Sequence, residues 1–322
     1  MKKQMMMLLA IAAMAGCSKS EVVDNPNGDG NTPIKLKTFV GKSVKAAETT
    51  TANLTSFQME AYTTAAAYPG ADAPTSFISS AVTTPGSWTY TGPQYWPQSL
   101  KVSFFAYAPT TGVTYAAPAA AGWPGLTYTV AAEASQADLI VAQRTDQDAS
   151  TNSGSVALTF NHALSQILFK AKCATADFTA VVKTIELSGI QNEGTYTFAT
   201  SATEGTAIEG SWSGVKGAAG YAYLTNGTAA ITSAGEAIAG TNGALMLMPQ
   251  TLTNAKLKVV YEVTLGNQKF DVTKEDVALT GTWAPGMKYT YDLTLVSDAK
   301  KITLDPSVKP WTEGTITDQP SL

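Results

Sequence analysis

Lys256-Leu257-Lys258-Val259-Val260-Tyr261-Glu262-Val263-Thr264-Leu265, followed by Gly266-Asn267 and then Gln268-Lys269-Phe270-Asp271-Val272, is the stretch that decides the fold. Its apolar and polar residues alternate, which is the period of a strand with one buried face. The Gly-Asn pair supplies the positive φ that a two-residue hairpin turn requires. Two antiparallel strands therefore meet at residues 266–267.

The same pattern repeats on both sides of this hairpin. Across 166–173, Ile167, Phe169, Ala171 and Cys173 fall on one face and Lys170 and Lys172 on the other, so Cys173 reads as a small buried hydrophobe. Further strands are expected at 34–40, 54–62, 87–90, 101–107, 126–130, 138–142 and 155–160 in the first half of the chain. In the second half they are expected at 181–188, 194–199, 221–224, 244–249 and 288–296, with short helical pieces near 132–136 or 162–165. Short strands punctuated by Gly, Pro, Asn and Asp spell an all-β chain of the sandwich type. A length of 322 residues leaves room for two folded domains, and the boundary is placed between one strand-like run and the next, giving 34–163 and 164–322.

Composition narrows the chemistry. Only 14% of residues are charged, against about 25% in ordinary soluble proteins, and Thr, Ser, Ala and Gly fill the gap as they do on extracellular β surfaces. With a net charge of −4 and a single arginine, Arg144, there is no basic patch for nucleic acid. One histidine and two cysteines exclude multi-histidine metal centres, zinc fingers and disulfide frameworks, and no cofactor or metal is expected.

Catalytic constellations are short of parts. His162 is the only imidazole, and it follows a strand, where a hydrogen-bonded structural role is expected. Gly210-Ser211-Trp212-Ser213-Gly214 places tryptophan where a nucleophile would stand, and Gly214, Gly217 and Gly220 read as loop glycines, not a phosphate cradle. Glu60, Glu186, Glu262 and Asp292 sit in strands and are expected on solvated faces. Trp88, Trp96, Trp283 and Trp311 flank strands and are expected to pack the core; the other reading makes exposed aromatic rings a platform for glycans.

The N-terminus is an export signal. Lys2 and Lys3 precede an apolar run, Met5 to Ala15, of eleven residues, too short for a bilayer span of about 20. Met14-Ala15-Gly16-Cys17 resembles a bacterial lipobox, with Met14 where leucine is usual, and the resemblance implies cleavage after residue 16 and lipidation of Cys17. Without Lys2 and Lys3, 19 basic residues face 25 acidic ones and the net charge is −6, so the acyl chains are the membrane anchor. Residues 17–33 are polar, turn-forming and suited to a tether.

Several ordered motifs then carry a resemblance. They are Ser87-Trp88-Thr89-Tyr90, Tyr95-Trp96-Pro97, residues 100–109 (LKVSFFAYAP), residues 137–142 (ADLIVA), residues 156–165 (VALTFNHALS) and residues 283–291 (WAPGMKYTY). In this order the chain resembles the fimbrillin family of Bacteroidetes surface lipoproteins. The resemblance implies two tandem transthyretin-like or Ig-like β-sandwich domains and a non-enzymatic subunit or adhesin of a type V fimbria at the outer membrane. It also implies assembly with other fimbrial subunits, and a host or bacterial surface ligand is the further partner. In such fimbriae a protease removes the first strand, and the opened groove takes an extended strand from a neighbour, which is β-augmentation in physical terms. Carried onto this chain, the first strand is 34–40 and the processing site is Lys45-Ala46, where the family often has arginine. The donor strand falls near the C-terminus, with Ile302, Leu304, Val308, Trp311 and Ile316 as its apolar residues; Pro306, Pro310 and Pro320 each remove a ladder donor. A monomeric surface lipoprotein that binds glycans is the alternative.

Overall fold

The computed structural model describes residues 32–40, 49–84, 87–150, 152, 155–199, 210–297 and 303–310. The described chain is strand and loop apart from one 3-10 turn, Glu133–Ser135. The first half gives β1 (Leu36–Val40), β2 (Ser56–Thr64), β3 (Thr75–Thr83), β4 (Lys101–Ala108), β5 (Val113–Ala116), β6 (Gly125–Thr129), β7 (Ile140–Gln147) and β8 (Val156–His162). The second begins with β9 (Ser165–Cys173), β10 (Phe178–Ile190), β11 (Glu193–Thr197), β12 (Ser211–Lys216), β13 (Ala219–Leu224), β14 (Ala230–Ile231) and β15 (Glu236–Ile238). It continues with β16 (Leu245–Leu247), β17 (Gln250–Thr251), β18 (Lys256–Leu265), β19 (Gln268–Ala278), β20 (Thr282–Trp283), β21 (Met287–Leu295) and β22 (Thr303–Pro310).

The deciding hairpin forms as its sequence dictates, with Leu265 opposite Gln268 and Gly266 at φ 57°. β19 runs on through Thr273 to Ala278, past the expected end at Val272, because an edge strand needs one ladder and tolerates a polar outer face. Residues 87–90 make only an isolated bridge, Thr83 to Thr89, where a strand was expected. β3 and β12 were not expected: both are sheet-edge strands rich in Ser, Thr and small residues, whose weak apolar signal hides them.

Six strands in the order β1-β8-β7-β4-β2-β3 wrap a core of their own. Phe57 of β2 meets Phe160 of β8 with ring centroids 5.0 Å apart although β4 and β7 lie between them, so the sheet is rolled around this cluster. Segment 87–96 spans the open side, bridging to β3 through Thr89 and to the residues before β1 through Tyr95. The second core lies between β13-β10-β18-β19 and β15-β9-β21-β22, with Phe169, Tyr261, Trp283 and Leu293 buried in it. A four-stranded sheet, β12-β11-β6-β5, pairs β6 of the first half with β11 of the second.

One glycine is indispensable to this architecture. Gly189, in β10, has φ 68° at a register shift between Leu187 and Ile190, and a Cβ there would lie 2.3 Å from the Asn254 carbonyl oxygen. Gly189→Ala is expected to cost about 2–4 kcal/mol and to lower the thermal midpoint by several degrees; an unchanged midpoint would refute the bulge's role.

Candidate functional site

β1 alternates by design. Ile34, Leu36, Thr38 and Val40 are buried, and Leu36 and Val40 enter the first core, while Lys35, Lys37 and Phe39 face outward, Phe39 being 51% exposed. Among the described residues β1 pairs only with β8, in parallel, from Leu36 opposite Val156 to Val40 opposite Phe160. Parallel pairing is slightly weaker per residue than the antiparallel pairing of the rest of this sheet. Burying Ile34, Leu36 and Val40 contributes roughly 5–9 kcal/mol, an upper bound. That is a large share of a domain's whole stability.

The two edges of β1 differ. Toward β8, the Val156 N–H donates to the Lys35 carbonyl at 2.7 Å. On the far side the bonds among the described residues come at the ends. At residue 34 its N–H donates to the Gln94 carbonyl at 2.8 Å, and its carbonyl accepts from the Tyr90 hydroxyl at 2.8 Å. At residue 40 the Thr51 hydroxyl accepts from the Val40 N–H at 2.8 Å and donates to its carbonyl at 3.2 Å. A groove of about 860 Å³ is lined by residues 34–39, Ser87, Trp88 and Ser155.

Thr49, the first described residue after Val40, is anchored inside the body. The Thr49 N–H donates to Asp138 Oδ2 at 2.9 Å, and the same oxygen accepts from His162 Nδ1 at 2.7 Å. Both side chains are buried, and Asp138 Oδ1 has no partner among the described residues. His162 thus has the structural, hydrogen-bonded role expected of it, but its partner was not visible in the sequence.

β22 lies at the other end of the molecule's sequence and at the edge of its own sheet, antiparallel to β21. Pro306 stands opposite Tyr291 and Pro310 opposite Met287. A residue without an N–H fits an antiparallel ladder only where its backbone groups point away from the neighbour. The even positions, Leu304, Pro306, Val308 and Pro310, are therefore the outward-bonding ones, and the odd positions carry the ladder to β21. β22 is a one-sided strand.

Of the other expected site residues, Cys17, Lys45, Ala46, Ile302, Trp311 and Ile316 lie outside the described residues, while Leu304 and Val308 fall in β22. Trp96 and Trp283 are buried, Trp88 packs against the first core, and the indole of Trp212 donates to the Ala163 carbonyl at 2.7 Å. Glu60 corrects an expectation. It is buried, not solvated, and accepts from Gln58 Nε2 at 2.8 Å and Ser79 Oγ at 3.0 Å. Its face of β2 carries Tyr62, whose hydroxyl bonds that of Tyr115 from β5, so a second layer covers it. Burial pushes both tyrosine hydroxyls up, and Glu60 adds to the rise. Glu186 and Glu262 instead make surface ion pairs with Lys258 and Lys269.

Cys173 is buried, its thiol donates to the Ile231 carbonyl at 3.2 Å, and burial raises its pKa. In a chain carrying Cys17→Ser, native protein is expected to resist iodoacetamide for hours and to take up one equivalent once unfolded, read by intact mass. Rapid native labelling would contradict this burial. No group of three metal-ligating side chains occurs among the described residues.

The fimbrillin-like family matches residues 34–311, from the first inward residue of the β1 segment to just past the end of β22. The chain belongs to the fimbrillin-like family. That family is one of structural fimbrial proteins, not of enzymes. Among curated proteins, this fimbrillin-like chain is 27% identical to fimbrium subunit Fim1C of Phocaeicola vulgatus, an alignment covering 98% of each. Among solved structures it resembles a fimbrial protein from Bacteroides vulgatus, with a TM-score of 0.63 and 23% identity over 88% of this chain and 100% of that one. The second likeness is one of fold.

Proposed function

We propose that this fimbrillin-like chain is a subunit or adhesin of a cell-surface fimbria, carried to the outer membrane on a lipidated Cys17 and assembled with other fimbrial subunits by strand exchange. Its two domains, 34–163 and 164–322, share the sheet that pairs β6 with β11. The observation that carries the reading is the construction of β1. It is an end strand in parallel pairing that fills a core, and the chain beyond it carries Lys45-Ala46. Cutting there separates β1 from the body, because Thr49 is bonded to Asp138 on the body's side of the cut. The vacated place is a hydrophobic groove beside an unpaired edge of β8, the situation that β-augmentation resolves. β22, apolar at every even position and able to bond along one side, is the extended strand to fill it.

Intact mass, lipid included, of protein taken from the cell envelope and from sheared fimbriae tests this. Envelope chains are expected to begin at acylated Cys17 and fimbria-borne chains near Ala46. Sheared fimbriae in which every copy keeps residues 34–40 would overturn the reading.

A further inference from the structure

Glu60 carries a charge that nothing beside it offsets. It is 8% exposed, and no ion pair among the described residues includes it, whereas Glu186, Glu193, Glu262, Glu275 and Asp276 each face a lysine and Asp138 faces a histidine. A carboxylate taken this far out of water is ordinarily paired with a cation. Both of its hydrogen bonds fall on one oxygen, Oε1, which accepts from Gln58 Nε2 and Ser79 Oγ. They fix the rotation of the carboxylate and leave Oε2 without a partner among the described residues. Ser79 lies opposite Glu60 on the edge strand β3 and is exposed, so the carboxylate stands at a rim that solvent reaches.

Tyrosines surround the open oxygen. On β4, Phe105 is directly opposite Glu60 and Tyr107 is its diagonal neighbour. Tyr107 is 6% exposed, and its hydroxyl bonds nothing among the described residues. Burial, and after it the Glu60 charge, raises the pKa of that hydroxyl. The two oxygens sense one another without bonding, and a donor placed between them can bond both. Tyr115 of β5 stacks on Tyr107, with ring centroids 6.0 Å apart and planes 10° from parallel, and shares a 2.8 Å hydrogen bond with the Tyr62 hydroxyl. That bond ties β5 to β2, so the aromatic walls are in place before anything binds.

From this arrangement we infer that the rim where β2, β4 and β5 meet binds an ammonium or guanidinium group, the end of a lysine or arginine side chain of a protein partner. Glu60 Oε2 is the counter-charge, the Tyr107 hydroxyl a second acceptor, and the Tyr107 and Tyr115 rings are the walls. An ammonium brings three donors and no acceptor, and a guanidinium brings a fork of donors, which suits a place that offers acceptors. Phenol rings add their own attraction for a cation. A sugar hydroxyl could bond the same oxygens but would leave the carboxylate charge unpaired. A divalent metal needs several oxygen ligands, and the described residues bring no three acidic, histidine or cysteine side chains together. The site lies on the face of β2 away from the core that β1 fills, so it stands apart from strand exchange.

Nuclear magnetic resonance of the full-length chain with Cys17→Ser and carbon-13 in its tyrosine rings tests this. The probes are the acetylated methylamides of lysine and arginine, that of norleucine as the neutral control, and methyl glucoside. Both cations are expected to move the Tyr107 and Tyr115 ring signals, assigned through Tyr107→Phe and Tyr115→Phe, saturably at millimolar concentration. Norleucine and glucoside are expected to leave those signals in place. Glu60→Gln keeps an acceptor for Gln58 and Ser79, and is expected to weaken both cations about tenfold or more, the worth of one charge-assisted hydrogen bond. Its thermal midpoint is expected to equal or exceed the parent's, because a buried charge without a counter-charge has been removed. Signals unmoved by either cation overturn the site. Cation shifts that persist at full strength in Glu60→Gln overturn the carboxylate as counter-charge. An equal response to the glucoside makes this a hydroxyl-binding place and overturns the cation.

Discussion

Cut between Val40 and Thr49 and separated from its first strand, the chain is expected to melt about 10–20 °C lower than the intact protein and to associate into multimers, whereas the intact chain stays monomeric. The size of the effect follows from Ile34, Leu36 and Val40, whose burial contributes roughly 5–9 kcal/mol as an upper bound. In a chain of this size each kcal/mol is worth about 2–4 °C. Removing the strand also bares one side of β8 and the side chains that β1 covers, among them Phe160 opposite Val40. Exposed edge and exposed core together are what drives strand addition. Differential scanning calorimetry and sedimentation velocity on cut and uncut chains give both readings. A stripped chain that melts with the intact one and sediments as a monomer would show that β1 is ornamental to the first core.

The parts of this fold legible in the sequence are those whose signal is local. The β18–β19 hairpin announces itself by alternation and a Gly-Asn turn, and β9 by the alternation that buries Cys173 and exposes Lys170 and Lys172. Glu60 was misplaced because its strand alternates correctly while the layer bearing Tyr115, which covers its outer face, is supplied by residues more than fifty positions away. The pairing of β6 with β11 and the Thr49–Asp138 bond are more distant still, at separations that no window on the sequence spans. β3 and β12 escaped for a different reason: β12 buries no side chain, and β3, though it sets Ile78 and Val82 in the first core, is otherwise mostly Ser and Thr, so neither shows a strong apolar pattern. For the candidate site, the first strand and the tail were visible as apolar patterns, but the end bonds at Gln94 and Thr51 that fix where a strand may stop were not.

Asp138→Ala should be among the most damaging single substitutions in the first half of the chain, lowering stability by about 3–5 kcal/mol and the thermal midpoint by about 10 °C. The carboxylate is fully buried and one oxygen serves two donors, the His162 ring and the Thr49 backbone. Truncation removes the acceptor of two buried donors, and an unmade bond to a buried donor costs more than the same bond contributes when made. Asp138→Asn keeps the shape and one acceptor oxygen, so it is expected to lose less than half as much. A double-mutant cycle with His162→Ala isolates the pair: if the two are coupled, the double variant loses clearly less than the two single losses combined. Thr49 gives the cycle its functional edge. Because its N–H bonds the same oxygen, Asp138→Ala also loosens the chain just before Thr51, and hydrogen exchange at the Val40 amide, which bonds Thr51, is expected to rise with it. If stability falls but Val40 exchange does not change, the pair holds the core alone; if both move together, the Asp138–His162 pair is what keeps the end of β1, and of any strand that replaces it, in its place.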